Sequence, residues 1–238
     1  MKRRTLDLAF SIGGALFAVL LLVLGLVLKD QADFAAGYVK DQLAEQEITF
    51  PKTEDLGTED EFQATMLELF NGDQEAANAF IAKKGLTSEE KSECLNKYAG
   101  QQMLTGAQAE CYAEDYIRLH ASESSVVNGT AYTYSTIGGL VREARAAVTE
   151  AKDAGADQEE IDTLQAEADR LQSLRVDTLL RADTLRGLLL TSYGFSIFGE
   201  KADLAATVAF IAAALLLLLS IAGFIHAMTK SAKEHVIE

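Results

Sequence analysis

Residues 184–210, TLRGLLLTSYGFSIFGEKADLAATVAF, contain an apolar and aromatic run that stops at a short charged segment and then begins again. Beyond the charges, residues 204–228 form an uncharged run of 25 residues, and a hydrocarbon core of about 30 Å needs about 20 helical residues. We therefore predict that residues 204–228 cross a bilayer as a helix. Glu200, Lys201 and Asp203 then lie at the outer water boundary, where charged side chains are tolerated.

The apolar run before the charges, residues 185–198, has only 14 residues and is too short to span a bilayer. We predict that it forms a membrane-proximal amphipathic segment. Leu189, Tyr193, Phe195 and Phe198 are its predicted interface residues, because aromatic side chains favour the headgroup level. Burial of these side chains against the rest of the domain is the alternative.

A second uncharged run, residues 8–28, has 21 residues and lies near the N-terminus. Its apolar length exceeds the roughly 7 to 15 residues of a signal-peptide core, and no A-x-A cleavage site follows it. We therefore predict an uncleaved transmembrane helix. Gly13, Gly14 and Gly25 in this run, and the Ala-rich residues 205–214 in the other, would allow the two helices to approach closely.

Basic residues flank the two runs on their outer ends, with Lys2, Arg3 and Arg4 before the first and Lys230 and Lys233 after the second. Basic flanks are typical of the cytoplasmic side. We therefore predict a multi-pass plasma-membrane protein with both termini in the cytoplasm. The predicted segments are a cytoplasmic N-terminus (1–7), a first transmembrane helix (8–28), an extracytoplasmic domain (29–203), a second transmembrane helix (204–228) and a cytoplasmic tail (229–238).

The intervening segment, residues 29–203, holds 16 basic and 33 acidic residues, a formal charge of −17. An acidic surface repels phosphates, so nucleic acid is not an expected partner.

Both cysteines of the chain, Cys94 and Cys111, lie in this segment, and an oxidising compartment would join them in a disulfide. A metal site with His120 is the alternative, but the spacing matches no compact zinc pattern. We predict the disulfide, no metal and no cofactor.

The domain has mainly helical patterns. One helix is predicted to start at Ser88, and residues 124–139 predict a loop or a short extended piece because they are rich in Ser, Thr, Asn and Gly. From residue 140, an Ala-rich helix ends near Gly155, and a second helix follows with apolar residues at 3,4,3 spacing. This pattern favours an antiparallel helical hairpin within the chain over an intermolecular coiled coil.

A further helix is predicted to start near Thr105 or Gly106. On it, Tyr112, Tyr116 and His120 are spaced i, i+4, i+8 and share one face. This face is the candidate ligand or partner surface, and an aromatic packing stripe is the alternative. The predicted fold class is mainly α, with two transmembrane helices flanking an extracytoplasmic helical domain that contains a hairpin.

Three blocks of the sequence carry a family resemblance. They are YVKDQLAEQEITFP at residues 38–51, YAGQQMLTGAQAECYAEDYIRLH at residues 98–120 and RADTLRGLLLTSYGFSIFGEKA at residues 181–202. With the second apolar run behind them, they resemble a group of actinobacterial two-span membrane proteins that often carry the label "aromatic ring-opening dioxygenase". The resemblance implies a membrane protein and assigns no catalytic residues.

The chemistry in that label does not fit this sequence. Ring cleavage by non-haem Fe(II) needs two His and one carboxylate on the same side of the membrane. The chain has three His, and His226 and His235 lie at or beyond the inner end of the second predicted span, so only His120 is outside. About 30 Å of hydrocarbon would separate them. We interpret the label as a propagated error.

The sequence also lacks the usual signatures of other enzymes and of transporters. It contains no G-x-S-x-G, H-E-x-x-H, Walker A or G-x-G-x-x-G motif, and neither predicted span carries an Asp, Glu, Lys or Arg. The hypothesis is a non-catalytic accessory or scaffold subunit of an actinobacterial envelope or respiratory membrane complex. Its partners would be the lipid bilayer and a membrane protein or a second copy of the chain. The alternative is an extracytoplasmic ligand-binding module or an enzyme of unknown reaction.

Overall fold

The structure is a computed structural model that describes residues 3–229, apart from the side chain of Arg3. Four residues used in the predictions, Lys2, Lys230, Lys233 and His235, lie outside these residues. The described chain is mainly helical and forms two compact units. We call the first, residues 3–40 with 195–229, the helical pair, and the second, Asp41–Gly194, the domain.

The helices are α1 (Arg3–Ala44), α2 (Glu59–Leu69), α3 (Gln74–Lys84), α4 (Glu93–Tyr98), α5 (Gly106–Cys111), α6 (Arg118–Ser124), α7 (Ile137–Ala154), α8 (Gln158–Ser173) and α9 (Arg181–Thr229). The remaining elements are a 3-10 turn (Thr53–Asp55), two π-helical segments (Tyr112–Ile117 and Leu174–Leu180) and the strands β1 (Val126–Val127) and β2 (Thr130–Ala131). The π-helical segments join α5 to α6 and α8 to α9 without a break.

In the described part of the chain, two helices are long and apolar enough to cross a membrane, one over Arg4–Ala44 and one over Gln158–Thr229. Both extend well beyond the uncharged runs of the sequence. The charges at Glu200, Lys201 and Asp203 do not interrupt the second helix, because Glu and Lys are good helix formers and one Asp costs little. The apolar residues before the charges are therefore part of the same helix as those after them.

Small side chains fill the contact between the two helices of the helical pair. Every seventh residue of α1 is buried and none is larger than Val, and α9 repeats the pattern. The positions with this seven-residue spacing are Ser11, Ala18, Gly25, Ala32 and Val39 in α1, and Gly199, Ala206, Ala213, Ser220 and Ala227 in α9. Ala35 and Ala209 are buried in the helical pair as well. The helices are so close that a Cβ added to Gly14 would lie 2.6 Å from Ser220 Oγ, whereas one added to Gly13 would meet nothing within 4 Å. Of the predicted small-residue contacts, Gly14 and Gly25 face the partner helix and Gly13 faces away.

Large apolar side chains fill the domain. One cluster joins α2, α3 and α6 through residues that include Phe62, Met66 and Phe80. A second cluster joins β1, α7 and α8 through Val127, Val141 and Leu171. These contacts explain why the helical segments pack together in water, since burying one such side chain stabilises by about 1.5 to 3 kcal/mol.

Local signals set the ends of several elements. Gly155 adopts φ 74° after α7, so the chain turns into α8, and these two helices pack against each other. Asn128 and Gly129 also have positive φ, 52° and 74°, and form the two-residue turn between β1 and β2. The prediction of a short extended piece in residues 124–139 is therefore confirmed.

The predicted helix start at Ser88 is wrong. The helix that carries Cys94 begins at Glu93, five residues after Ser88, and the Ser92 hydroxyl caps it by accepting the Leu95 amide at 3.1 Å. The intervening residues form turns, because the carboxylate of Glu89 accepts the amide of Gly57 at 2.8 Å across the domain. The contact between Glu89 and Gly57 therefore outweighs the local helix-start pattern at Ser88.

Candidate functional site

The helix that carries the candidate face begins where the sequence predicts. Thr105 caps it, since its hydroxyl accepts the Gln108 amide at 3.2 Å and the Gln108 side chain accepts the Thr105 amide at 3.0 Å. A disulfide between Cys94 and Cys111 ties the end of α5 to α4. The disulfide prediction is confirmed, and the alternative metal site is wrong because both thiols are consumed in the bond.

Three rings lie in a row along this helix. The ring centroids of Tyr112 and Tyr116 are 4.8 Å apart, and those of Tyr116 and His120 are 4.6 Å apart. Phe50 continues the row at the buried end, with its centroid 5.3 Å from that of Tyr112. Burial raises the pKa of Tyr112 to about 12 and, with the charge of Glu89, also raises the pKa of Tyr116, so both phenols are neutral at physiological pH.

His120 ends the row and is held between two carboxylates. Its Nδ1 lies 3.3 Å from Glu123 Oε2, and its Nε2 lies 2.8 Å from Glu89 Oε1. The hydrogen bond to Glu123 is the largest cause of the raised pKa of His120, and Glu89 adds to it, against the partial burial that lowers it. The imidazolium form is therefore favoured here more than in a free histidine.

These groups border an acidic cleft of about 300 Å³. Four carboxylates line it, from Asp55, Glu61, Glu89 and Glu123, beside the apolar side chains of Phe62 and Leu119. The hydroxyl of Thr58, which also lines the cleft, is committed to the Glu61 carboxylate at 2.8 Å. The arrangement can hold a proton or a cation next to a ring, but its histidine is already engaged at both nitrogens.

The sequence did not identify Glu89 as a partner of His120. The two residues are 31 positions apart, and Glu89 precedes a helix in the chain, which suggested a role at the helix terminus. The Glu89 side chain is only 7% exposed and pairs with His120. Because carboxylates are seldom buried, this environment indicates the role of Glu89 better than its position before a helix does. Only the fold brings the two groups together.

The predicted interface residues have different environments. Leu189 is 1% exposed, which favours the alternative of burial at this position. Tyr193 is half-buried in the domain, while in the helical pair Phe195 is 39% and Phe198 is 76% exposed. Tyr38, which the sequence did not indicate for this role, packs its exposed ring edge-to-face on Phe195 with centroids 5.8 Å apart.

The two histidines within residues 3–229 have separate partners. His120 pairs with Glu89 and Glu123 in the domain, and His226 pairs with Asp7 at 2.9 Å in the helical pair. Within residues 3–229, no group of three or more His, Cys, Asp or Glu side chains is arranged to hold a metal ion.

No protein family, no curated protein and no solved structure shows significant similarity to this chain.

Proposed function

We propose that this chain is a non-catalytic integral membrane protein that serves as an accessory or scaffold subunit of an actinobacterial envelope or respiratory membrane complex. In this proposal the helical pair spans the plasma membrane, and the domain lies on the extracytoplasmic side. The observation that carries the proposed membrane insertion is the position of two pairs of polar side chains, one on each side of the uncharged stretch of the helical pair.

The two pairs of polar side chains bracket a segment of membrane thickness. At one end, Lys29 Nζ lies 2.8 Å from Asp203 Oδ1, and at the other, His226 Nδ1 lies 2.9 Å from Asp7 Oδ2. Between Asp7 and Lys29, α1 rises by about 33 Å at about 1.5 Å per residue. This length matches a hydrocarbon core of about 30 Å. The charges thus occur where a bilayer would meet water, and the residues between them are uncharged.

The surface of the bracketed segment also suits lipid. Large apolar side chains point outward along both helices, for example Phe17 at 51%, Leu24 at 47% and Leu218 at 64% exposure. Small residues at the contact between the helices are typical of membrane helix association, where close backbone approach replaces the hydrophobic effect as the source of attraction. Exposed apolar area on this scale would cause aggregation in water.

Three features support an outer position for the domain and a non-catalytic role. The Cys94–Cys111 disulfide is typical of an oxidising compartment. The basic flanks in the sequence favour cytoplasmic termini. Both ring nitrogens of His120, the domain histidine, are paired with carboxylates, so neither nitrogen is paired with a nucleophile.

A crosslinking experiment tests the helical pair. A Cβ built on Gly223 lies 3.6 Å from Ser11 Cβ, which is within the range for a disulfide. We expect Ser11→Cys/Gly223→Cys to form a second disulfide in isolated membranes and to stay in the membrane pellet after carbonate extraction. The control Ser11→Cys/Ile221→Cys should not crosslink, because Ile221 is 48% exposed and faces outward. Release of the protein into the carbonate supernatant would contradict membrane insertion.

A labelling experiment tests the orientation. Thr163 is exposed on α8 and Thr5 is exposed near the start of α1. A membrane-impermeant maleimide should label Thr163→Cys in intact cells, but should label Thr5→Cys only after permeabilisation. The opposite labelling pattern would reverse the topology.

A purification experiment tests the accessory role. The chain should be extracted in a mild non-ionic detergent after amine-reactive crosslinking in cells. We expect a stoichiometric membrane-protein partner. A monodisperse chain without a stoichiometric partner contradicts the accessory role while leaving the membrane insertion intact.

A further inference from the structure

A second cleft in the domain has the opposite charge from its surroundings. It has a volume of about 270 Å³, and three cationic side chains line it, those of Lys84, Arg118 and Arg186. Asp183 also lines the cleft, and Glu114 pairs with Arg118 and Arg186, so the three cationic side chains outnumber these two carboxylates. The predicted outer segment, in contrast, has a formal charge of −17. The cleft therefore differs from the rest of this acidic segment in having more cationic than acidic side chains.

The guanidinium of Arg118 is fixed in place by backbone carbonyls. Its Nε donates to the carbonyl of Glu114 at 2.8 Å, its Nη1 to that of Lys84 at 2.9 Å and its Nη2 to that of Gly85 at 3.2 Å. These bonds use three of its five N–H groups. Its Nε also lies 3.4 Å from the Glu114 carboxylate, which Arg186 shares. Two donors therefore remain at a preorganised position, on one of two guanidinium groups that share a single carboxylate.

Arg186 and Lys84 have unused donors. Arg186 shares the Glu114 carboxylate through Nη2, but its Nε is buried and has no hydrogen-bond partner within residues 3–229. Lys84 is half-buried and its ammonium makes no salt bridge to any described residue. A buried donor without a partner is costly, and its presence in a folded protein calls for an explanation.

Irregular helix geometry surrounds the same cleft. The π-helical segment Tyr112–Ile117 leads directly into Arg118, and the segment Leu174–Leu180 contributes Leu179 to the lining. π-Helical turns are rare and occur frequently at functional sites. Tyr134, which also lines the cleft, is held from one side by the Arg175 guanidinium, 4.9 Å from the ring centroid.

We propose that this cleft binds the oxyanion of a small molecule, either a carboxylate or a phosphate group. Arg118 and Arg186 would supply N–H donors, and Lys84 would supply a mobile charge. The rings of Tyr132 and Tyr134 would contact the apolar part of the ligand. The volume is slightly below the roughly 300 to 1,000 Å³ of most ligand pockets, so the ligand is small. This site is separate from the His120 cleft and goes beyond the accessory role.

Calorimetric titration of the full chain in an uncharged detergent tests this proposal. The probes are inorganic phosphate, phenyl phosphate and benzoate. We expect saturable binding of at least one probe and an affinity about tenfold lower in Lys84→Gln, the fold-change of one lost charge-assisted hydrogen bond. Arg186→Lys, which keeps the charge but lacks Nε, should also bind more weakly. The matched control is Lys83→Gln, on the same last turn of α3 but exposed, and it should bind like the original chain.

Two results would overturn the proposal. One is the absence of saturable binding of all three probes by a chain whose circular dichroism shows it to be folded. The other is an equal loss of affinity in Lys83→Gln and Lys84→Gln, which would indicate unspecific attraction to positive charge.

Repeating the titration in nanodiscs distinguishes two sources of the oxyanion. Competition by phosphatidylglycerol, but not by phosphatidylcholine, would assign it to a lipid headgroup, and binding that is unchanged by either lipid would assign it to a soluble molecule.

Discussion

The helical pair and the domain distribute side-chain size in opposite ways. In the helical pair, the buried positions are small, such as Ala18 and Ala213, and the large residues are exposed, as Leu218 is at 64%. In the domain, large residues are among the most buried, such as Met66 and Leu95, both at 0% exposure. The same chain therefore follows two packing rules.

The difference identifies the medium that each unit requires. In water, burial of large apolar side chains is the main source of stability, and the domain uses it. In lipid, an exposed Leu costs nothing, and helices associate through close contact of small residues. The inverted pattern of the helical pair thus supports its proposed place in the membrane independently of hydropathy.

The largest expected effect concerns the domain core. Met66→Ala should lower the free energy of unfolding by about 2 to 5 kcal/mol, because it leaves a cavity among large side chains. Leu218→Ala removes an apolar side chain of similar size from the exposed surface of the helical pair, and should change stability by less than about 0.5 kcal/mol in detergent. Guanidinium denaturation of both variants, followed by far-ultraviolet circular dichroism, measures the contrast. Equal losses would contradict the two packing rules.

Loss of the disulfide comes next. Cys94→Ala/Cys111→Ala should destabilise the domain by about 3 kcal/mol, since the bond closes a loop that constrains the unfolded chain. The measurement is the same denaturation experiment, with the original chain in reductant as the control. A reduced chain as stable as the oxidised one would show that the bond is dispensable for the fold.

Overpacking of the helical pair should have a smaller effect. Gly14→Leu introduces a large side chain where a Cβ already comes within 2.6 Å of Ser220 Oγ, and the cost of such insertions is about 1 to 3 kcal/mol. Gly13→Leu, at the adjacent position with no neighbour within 4 Å, is the matched control. We expect the engineered 11–223 disulfide to form more slowly in Gly14→Leu and at the original rate in Gly13→Leu. Equal rates in the two variants would argue against the small-residue contact.

The smallest effect concerns the ion pairs of His120. Because the folded-state pKa is raised, these pairs stabilise fully below the unfolded pKa of about 6.5 and are lost as pH rises through the raised folded value. The His120 side chain is 49% exposed, so we expect His120→Gln to cost less than about 1 kcal/mol. The difference in unfolding free energy between the original chain and the variant should be larger at pH 5.5 than at pH 8.5. If this difference in unfolding free energy instead grew with pH, it would contradict a raised pKa of His120 in the folded state.

Signals within a few residues of each other allowed much of the fold to be predicted. The turn at Gly155, the cap at Thr105 and the two uncharged runs could each be identified locally. The continuation of α9 through Glu200–Lys201 could not, because charged residues do not mark the end of a helix. In the candidate site, the spacing gave the row of rings, but not Glu89 or the cation cleft, which depend on contacts across the domain.

The seven-residue spacing of the small buried residues has a geometric consequence. A straight α-helix has about 3.6 residues per turn, so a contact line that recurs every seven residues drifts unless the two helices wind around each other in a left-handed supercoil. The contact line from Ser11 to Val39 therefore requires a fixed number of residues between successive contact positions. One inserted residue would rotate every following side chain by about 100° and turn large residues into the space that Ala and Gly now occupy. An insertion of seven residues would restore the contact line but lengthen the helix by about 10 Å, beyond the thickness of the bilayer.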